Sequence, residues 1–444
     1  YFGYGGDLGD EDHNDGNFCA DGLVSPDRQP HTSLLEVKNA YAPVYMRWDG
    51  RLSVTNRYDF RTLSHLSFKA RIERNGKSVK EINFTLNTPP HGTELVAVDL
   101  PELTGECYLT AEAWDGNNRL YIFQTPLPAL PETKSAPRGA LAVTETPIDV
   151  RIGGNGFCYT LSRLVPRIES IVIDGMELLA RPQWFALWRA PLDNDRKVKD
   201  DWFQPRKYPK KEGNLRDPFA ALDGFTLRRE DGKVTIEYDL FIGCRGKRPI
   251  VSGRTRVEIF SDGLMILRQS GSIRETAVWF PRYGYRWDLK EEFSNVRFFG
   301  FGPTESYIDK HDATTIGVYA CDAEDRFVPY LKPQECGSAF GTKWASLTDG
   351  GGRGIVFAGD GFSFNASVYD PKAISEAAHP FELKKSDAVI VHTDCFMSGI
   401  GSASCGPALQ EQYKIPTGDF SFTVALAPFA GDEFDVLARF NAEK

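Results

Sequence analysis

The stretch Leu66-Ser67-Phe68-Lys69-Ala70-Arg71-Ile72, followed by Asn75-Gly76 and then Val79-Lys80-Glu81-Ile82-Asn83-Phe84, decides the fold class of this 444-residue chain. Apolar and polar residues alternate on both sides of the Asn-Gly pair, and a period of two is typical of a strand with one buried face. Asn-Gly is favoured in two-residue hairpin turns because both positions require a positive φ. The stretch therefore predicts two antiparallel strands joined by a tight turn.

The same alternation extends outward from this hairpin, over residues 46–130. Further strand candidates are residues 51–56, 95–98 and 107–111. About seven short strands in about 85 residues is the size of an immunoglobulin-like β-sandwich. Four prolines between Pro126 and Pro137 then predict a stiff linker, placed at residues 131–138.

Residues 139–444 continue as closely spaced strands. The turn signals are Asp174-Gly175, Asp231-Gly232, Asp262-Gly263 and Asp349-Gly350. About 300 such residues without a long helix predict one large antiparallel sandwich of two extended sheets. The only helix we predict lies before all these strands, in residues 30–40, with Thr32 or Ser33 as N-cap and Glu36 completing a capping box.

Composition excludes several classes of protein. Asp and Glu outnumber Lys and Arg by 61 to 52, and the basic run at residues 206–211 is short and followed by Glu212, so nucleic acid is not an expected partner. No apolar run is long enough to span a membrane. Eight scattered cysteines without C-x-x-C spacing indicate free thiols and a reducing, cytoplasmic compartment. Seven histidines without paired spacing argue against a zinc site. The start at Tyr1, without Met or a basic segment, suggests a cut or processed chain without a signal peptide.

Several strings resemble one family. Residues 4–10 (YGGDLGD), 14–24 and 26–31 are similar to the end of the catalytic barrel in large bacterial β-galactosidases of the lactose-operon type, in glycoside hydrolase family 2. Strings that resemble the last domain of these enzymes are residues 189–195 (RAPLDND), 299–307, 329–335 and 399–407 (GIGSASCGP). They occur in the family's order along nearly the whole chain.

The resemblance implies a mainly β chain in three parts. Residues 1–45 would be the last strand and helix of a (β/α)8 barrel, and residues 46–130 would be the immunoglobulin-like sandwich. Residues 139–444 would be the last domain of these enzymes, a large antiparallel β super-sandwich. The implied activity is retaining hydrolysis of terminal non-reducing β-D-galactosides such as lactose, a reaction of lactose catabolism, with two catalytic carboxylates. In the family both glutamates lie upstream of the position of Tyr1. We therefore expect no catalytic residue in this chain and an inactive chain on its own.

The implied partners are β-galactoside sugars and the missing barrel and N-terminal domains of the same enzyme, in a homo-oligomer, with no nucleic acid or membrane. Magnesium, if used, would have its ligands outside this chain. A different class remains open, namely a non-catalytic carbohydrate-binding or scaffolding β-sandwich protein. A lone barrel helix argues against that alternative, because Leu34, Leu35 and Val37 would expose apolar surface.

The resemblance also assigns site residues. Residues 14–21, beginning with Asn14, would line the galactose subsite. The main-chain carbonyl of Phe18 and a side-chain oxygen of Asp21 would bind sodium, although relatives often carry Asn at the position of Asp21. The alternative makes Phe18 a core aromatic and Asp21 a turn residue. Near Cys405 some relatives carry a Trp that stacks on the acceptor sugar; a cysteine cannot stack, so this subsite should differ, or Cys405 is a buried small residue.

Four other groups of residues carry side chains that suit either a site or a structural role. The acids Asp7, Asp10, Glu11, Asp12 and Asp15 are better explained as turn residues than as a catalytic pair. Arg28 and His31 are expected to make structural hydrogen bonds. Residues 196–202 match a loop that moves in the family, or are a solvated charge run. Most of the tryptophans Trp184, Trp188, Trp202, Trp287 and Trp344 should be core residues.

Overall fold

The computed structural model describes residues 1–9, 13–20, 22–135, 139–203 and 213–444. The chain divides into two compact units. The first unit comprises Tyr1–Glu132, Phe299–Ser306 and Lys310–Tyr319, and the second comprises Thr133–Phe298, Tyr307–Asp309 and Ala320–Lys444. Each unit is described by itself below.

The first unit contains a seven-stranded β-sandwich. Its strands are β1 (Val44–Trp48), β2 (Leu52–Asn56), β3 (Ser67–Arg74), β4 (Lys77–Phe84), β5 (Thr93–Val96), β6 (Cys107–Asp115) and β7 (Asn118–Pro126). They form an antiparallel sheet in the order β1-β2-β5 and another in the order β4-β3-β6-β7. One apolar cluster fills the space between them and includes Val54, Phe68 and Leu109. The number of strands and the sandwich are as the alternation predicted.

The Asn-Gly hairpin forms as expected. Asn75 and Gly76 have φ values of 51° and 72°, and they join β3 to β4. A Cβ added to Gly76 would stand 2.6 Å from Cγ2 of Val318, so this turn also requires glycine for space. Local turn chemistry therefore sets the register of the pair.

Helix α1 (Thr32–Ala40) confirms the predicted helix, but its predicted caps are wrong. The N-cap residue is His31, and it makes no side-chain capping bond. The hydroxyl of Thr32 instead donates to Glu305 at 2.9 Å, and the Glu36 carboxylate accepts the backbone N–H groups of Asp312 and Ala313 at 3.0 and 3.1 Å. Both side chains therefore bind residues that are distant in the sequence and do not cap the helix.

The residues before α1 are irregular. The described residues among 1–20 contain a 3-10 helix, Gly16–Cys19, and no strand. A barrel strand forms its hydrogen bonds with neighbouring barrel strands, and among the described strands of this chain none pairs with residues 1–6. Apolar side chains are correspondingly uncovered: Leu8 is 93% exposed and Leu35 is 36% exposed.

The first residues after β7 still pack on the first unit. Leu127 is buried and donates its N–H to the carbonyl of Cys107, and Leu130 pairs with Thr104 in an isolated bridge. Residues 136–138 of the predicted linker lie outside the described residues. These contacts lie before residue 131, where the predicted linker starts.

Strands β8–β18 of the second half of the sequence are β8 (Ala142–Glu145), β9 (Asp149–Gly154), β10 (Phe157–Ser162), β11 (Ile168–Ile173), β12 (Met176–Glu177), β13 (Leu179–Ala186), β14 (Phe219–Glu230), β15 (Lys233–Gly243), β16 (Val251–Phe260), β17 (Met265–Ile273) and β18 (Arg282–Lys290). The remaining strands are β19 (Asn295–Gly302), β20 (Thr315–Asp322), β21 (Ala339–Thr348), β22 (Gly354–Ser367), β23 (Ala388–Met397) and β24 (Gly418–Pro428).

These strands form two antiparallel sheets of unequal size. Five strands follow the order β12-β11-β10-β9-β8, and twelve belong to a sheet whose main path is β13-β18-β23-β22-β24-β17-β16-β15-β14. Strand β22 pairs with β24 over residues 355–359 and with β23 over residues 363–367. The predicted pair of extended sheets is thus one very large sheet and one small one.

The second unit also contains three α-helices: α2 (Lys199–Phe203), α3 (Pro371–Glu376) and α4 (Glu433–Ala442). The prediction of a single helix was therefore wrong. In α4, Asp432 is the N-cap and accepts the N–H of Phe434 at 3.0 Å. Its buried stripe runs through Glu433, Val436, Leu437 and Phe440.

Short 3-10 helices complete the described elements, at Gly16–Cys19, Leu63–His65, Asp193–Asp195, Glu324–Arg326, Pro380–Glu382 and Glu411–Tyr413. Among the described helices, none is both long and apolar enough to pass through a lipid bilayer. Of the five tryptophans considered above, Trp188, Trp202, Trp287 and Trp344 are buried, which confirms them as core residues. None of the eight cysteines, all of which belong to the described residues, forms a disulfide.

Candidate functional site

The first candidate segment is the loop before α1 in the first unit. The backbone of Gly5 donates to the carbonyl of Gly16 at 3.1 Å, and the side-chain oxygen of Asn14 accepts the N–H of Gly16 at 2.9 Å. A Cβ added to Gly5 would lie 3.0 Å from both Cβ of Asn14 and the oxygen of Gly16. Glycine at position 5 therefore lets the two ends of this loop approach each other, with Asn14 between them.

Phe18 lies in the turn that follows Asn14. Its N–H donates to the carbonyl of Asp15 at 3.2 Å, within the 3-10 helix Gly16–Cys19, none of whose residues is buried. Phe18 is half-buried in this chain. Asp21, the second predicted sodium ligand, lies outside the described residues, as do Asp10, Glu11 and Asp12.

The neighbouring acids and bases have structural partners. The Asp7 carboxylate accepts the N–H of Tyr4 at 2.8 Å, which is the turn chemistry expected of it. His31 Nδ1 lies 3.1 Å from the carbonyl of Gly22, so the structural role predicted for His31 is confirmed. Arg28 has a φ of 69° and its backbone N–H closes a turn to Ser25. In the described part of the chain, no group of three or more His, Cys, Asp or Glu side chains is arranged to hold a metal ion.

The second candidate segment is the loop after β23 in the second unit, residues 398–406. Its first carbonyls are bound by Arg189, which donates from Nη1 to Ser398 at 2.6 Å and from Nη2 to Gly399 at 3.1 Å. Arg189 is fully buried, and its charge is balanced by a two-point contact with Asp195 at 2.9 and 3.1 Å. An arginine with this geometry fixes backbone direction as well as neutralising a carboxylate.

Two further side chains hold the middle of this loop. The Asn194 amide donates to the carbonyl of Ile400 at 2.5 Å and accepts the N–H of Ser404 at 3.2 Å. The Asp309 carboxylate accepts the N–H of Ile400 at 2.9 and 3.0 Å and that of Gly401 at 2.8 Å. The loop therefore takes its shape from side chains that lie far away in the sequence.

The RAPLDND string thus has a structural explanation: Arg189, Asn194 and Asp195 bind the 398–406 loop. The string at residues 329–335 joins them. Gln334 exchanges hydrogen bonds with Asp193, at 3.2 and 3.3 Å, and the N–H of Glu335 donates to the carbonyl of Ala190 at 3.3 Å. Strings that were separate in the sequence meet at one place in the second unit.

Cys405 is exposed on this loop. The preceding Ala403 has a φ of 97°, a conformation that costs a non-glycine residue free energy and persists where the surroundings impose it. The loop presents its tip, including the Cys405 thiol, to the outside while its base is held.

A buried ionic cluster joins strands β18, β22 and β23 to Glu335. Arg282 contacts Asp394 at 3.0 Å and Glu335 at 3.1 Å, and Asn365 donates to Glu335 at 3.1 Å. Burial raises the pKa of the Asp394 carboxyl to about 7, although the charge of Arg282 acts in the opposite direction. Burial, followed by the charge of Arg282, holds the pKa of His392 well below its ordinary value.

Residues 196–202 are in part anchored. Lys199–Phe203 forms α2, and Trp202 is buried with its indole N–H donating to the carbonyl of Trp279 at 2.8 Å. The end of the segment is therefore not simply a solvated charge run. The basic run at residues 206–211 lies outside the described residues.

Neither Asp309 nor the role of Asn194 was predicted from the sequence. Asn194 stands in a string of polar residues within a β-rich region, which was the available signal. Asp309 offers no such signal, because it lies 91 residues from Ile400.

Comparison with known proteins follows the order of these elements. The family model "Glycosyl hydrolases family 2, TIM barrel domain" matches residues 1–46, "Beta-galactosidase, domain 4" matches residues 52–119, and "Beta galactosidase small chain" matches residues 153–426. The chain is similar to the β-galactosidase of Actinobacillus pleuropneumoniae, with 32% identity over 94% of this chain and 42% of the relative. It is also similar to that of Staphylococcus xylosus, with 25% identity over 96% of this chain and 44% of the relative.

The chain thus spans less than half of the length of these curated relatives. Among solved structures, a putative aldose 1-epimerase from Escherichia coli aligns with 65% of this chain and 99% of its own, at a TM-score of 0.35 and 12% identity, which is too low to carry an argument. The small chain model, in contrast, covers more than half of the 444 residues. The chain belongs to the β-galactosidase small chain family, and with its barrel and domain 4 matches it belongs to glycoside hydrolase family 2.

Proposed function

We propose that this chain is part of a retaining β-galactosidase that hydrolyses terminal non-reducing β-D-galactosides such as lactose. The observation that carries the proposal is the match of residues 153–426 to the small chain family. Within that range, Arg189 and Asn194 of the 189–195 string bind the backbone of the 398–406 loop. Relatives named β-galactosidase align with more than nine-tenths of the chain.

The two catalytic carboxylates are supplied outside residues 1–444 in this proposal. Retaining hydrolysis requires a nucleophile and an acid/base about 5 Å apart. Among the described acids near the start of the chain, the Asp7 carboxylate accepts the Tyr4 N–H in a turn, and Asp15 is exposed. The partners of the chain are then the remaining barrel and domains of the same enzyme, in a cytoplasmic homo-oligomer. Any magnesium would bind to those other parts.

In the galactose subsite, Asn14 and the residues up to Asp21 would contact the sugar. The Phe18 carbonyl and the Asp21 carboxylate fit sodium in donor type, because both are hard oxygen ligands. The position of Phe18 in a turn without buried residues leaves its backbone near the surface, as a ligand shared with a substrate requires. The remaining ligands would come from the sugar, water or other residues.

Asp21→Ala in the native enzyme tests this sodium site. We expect a higher KM and a loss of any activation by sodium, with potassium as the reference salt. Asp115→Ala is the control, since Asp115 is an exposed carboxylate at the end of β6, outside the 14–21 segment. If both variants titrate with sodium like the wild type, Asp21 does not bind the ion.

Cys405 would lie at the acceptor-sugar subsite, where it offers a small thiol in place of an aromatic face. Cys405→Trp should change transfer of galactose to a sugar acceptor more than it changes hydrolysis, because an indole can stack on a pyranose ring. Cys405→Ser, which preserves size, is the control. Equal effects of the Trp variant on both reactions would remove Cys405 from the subsite.

A panel of aryl glycosides tests the activity itself. The native protein, purified from its host, should hydrolyse the β-galactoside much faster than the β-glucoside or β-glucuronide. If it hydrolyses none of them but binds galactosides in calorimetry, the chain belongs to a carbohydrate-binding protein instead. If it neither hydrolyses nor binds them, a scaffolding role replaces the proposal.

A further inference from the structure

Side chains from other parts of the second unit bond to the backbone of the 398–406 loop, and two of them, Asn194 and Asp309, are half-buried. In the described part of the chain, Asn194 is the side chain that bonds to both arms of the loop, through the carbonyl of Ile400 and the N–H of Ser404. The amide thereby closes the loop around Ala403, whose φ is 97°. If Asn194 did not bond to both arms, fewer contacts would hold Ala403 in its strained conformation.

Asp309 holds the first arm of the loop in a way that requires small residues there. A Cβ added to Gly399 would stand 2.5 Å from Oδ2 of Asp309, and one added to Gly401 would stand 3.2 Å from the same atom. Both glycines therefore permit the carboxylate to reach the N–H groups of Ile400 and Gly401. Backbone N–H groups bound to a carboxylate make stronger hydrogen bonds than neutral pairs do.

We propose that Asn194 and Asp309 are positioning residues that set the conformation of the loop tip, and through it the partition of the galactosyl group between water and a sugar acceptor. This inference rests on the proposed function, in which Cys405 lies at the acceptor subsite. A sugar acceptor reacts only when it is held in one orientation, whereas water needs no such support. Loosening the loop therefore weakens transfer to sugars more than hydrolysis.

The geometry separates these two residues from the ion pair at the base of the loop. Arg189 and Asp195 are almost fully buried, so their loss would disturb the unit as a whole. Asn194 and Asp309 are only half-buried, and each contacts the loop backbone. Substituting them changes the loop with little expected effect on the remaining core.

The test uses Asn194→Ala in the native enzyme, with Asp309→Asn as a second variant in case the first fails to fold. Asp309→Asn keeps the shape of the side chain but replaces one acceptor oxygen by a donor. Asn295→Ala is the matched control, since Asn295 is an exposed asparagine at the start of β19. Two quantities are measured: hydrogen–deuterium exchange of the peptide over residues 398–409, and the ratio of transfer to hydrolysis at high lactose.

We expect exchange in this peptide to be about tenfold faster and the transfer ratio to fall about threefold in either variant, with the control unchanged. Unchanged exchange would overturn the positioning of the loop. Faster exchange with an unchanged ratio would overturn the link to the acceptor. A wild-type enzyme that does not hydrolyse galactosides would overturn the proposed function and this inference together, and it would be recognised before any variant is made.

Discussion

Replacing Asp195 by asparagine should destabilise the second unit strongly. Asp195 is 2% exposed and gives both carboxylate oxygens to Arg189, which is itself 0% exposed. One of those oxygens also accepts the N–H of Leu192 at 3.0 Å. Asparagine preserves the volume but removes the charge, and its NH2 group would point at a guanidinium that only donates. The Arg189 charge is then left buried without a counterion.

The size of the effect follows from this burial. Removing one partner of a buried ion pair costs about 3–5 kcal/mol, because the remaining charge has lost its compensation. In a unit of this size each kcal/mol lowers the midpoint of thermal unfolding by roughly 2 °C. The expected decrease for Asp195→Asn is therefore roughly 6–10 °C.

Differential scanning calorimetry of the native protein measures this decrease. The control is Asp239→Asn, whose partner is Arg254 and whose pair is largely exposed, with side chains 45% and 66% accessible. An exposed pair contributes about 0–1 kcal/mol, so the control should shift by roughly 2 °C or less. If Asp195→Asn shifts no more than the control, the reasoning that Arg189 needs Asp195 is refuted.

Three further predictions follow from the described contacts. Burial raises the pKa of the Asp394 carboxyl to about 7, so its protonated form stabilises the folded state; this contribution is complete below the unfolded pKa and is lost as pH rises through 7. Between about pH 6 and about pH 8.5 the free energy of unfolding of the wild type should therefore fall by roughly 1–2 kcal/mol more than that of Asp394→Asn. Parallel pH profiles of the two proteins in calorimetry would contradict this. The exposed Cys405 thiol should be alkylated rapidly in the native protein, whereas the buried Cys107 and Cys244 should react only when the structure around them opens locally. Equal alkylation rates of the three thiols in peptide mapping would contradict the exposure of Cys405 on the 398–406 loop. Asp432→Ala should lower the stability of the second unit by about 1 kcal/mol through loss of the α4 cap, and an unchanged calorimetric midpoint would show that the cap contributes nothing.

Local patterns predicted the local parts of the fold well. The Asn75-Gly76 turn and the alternation around it depend on neighbouring residues only, and both form as expected. The helix at residues 32–40 was also predictable, but its capping was not. Thr32 and Glu36 bind residues more than 270 positions away, and such partners cannot be found from spacing.

The omission of α4 has a different cause. Its signals were in the sequence, with Asp432 as a cap and a buried stripe at helical spacing. That stripe begins with Glu433, a charged residue that hides the amphipathic pattern. Glu433 can be buried because it accepts hydrogen bonds from Arg297 and Ser346, at 2.8 and 2.9 Å.

The candidate site was predicted as a set of strings but not as a structure. The 189–195 and 399–407 strings were both identified, while the contact between them depends on a strand order that places β23 next to β18. Cys405 is exposed and Phe18 is half-buried in this chain, and the site roles that the resemblance assigns to them stay predictions. Asp309 could not be predicted at all, because its role exists only in the folded unit.

The most direct test of the account is to trap the covalent intermediate of the native protein with an activated 2-deoxy-2-fluoro-β-galactoside and to map the labelled peptide by mass spectrometry. A retaining enzyme forms a glycosyl ester on its nucleophile, and fluorine at the 2-position slows its hydrolysis. We predict a single label on a glutamate that lies outside residues 1–444. A label on a carboxylate within this chain, such as Asp7 or Asp15, or no label at all, would contradict the claim that the chain supports a β-galactosidase site whose catalytic pair lies elsewhere.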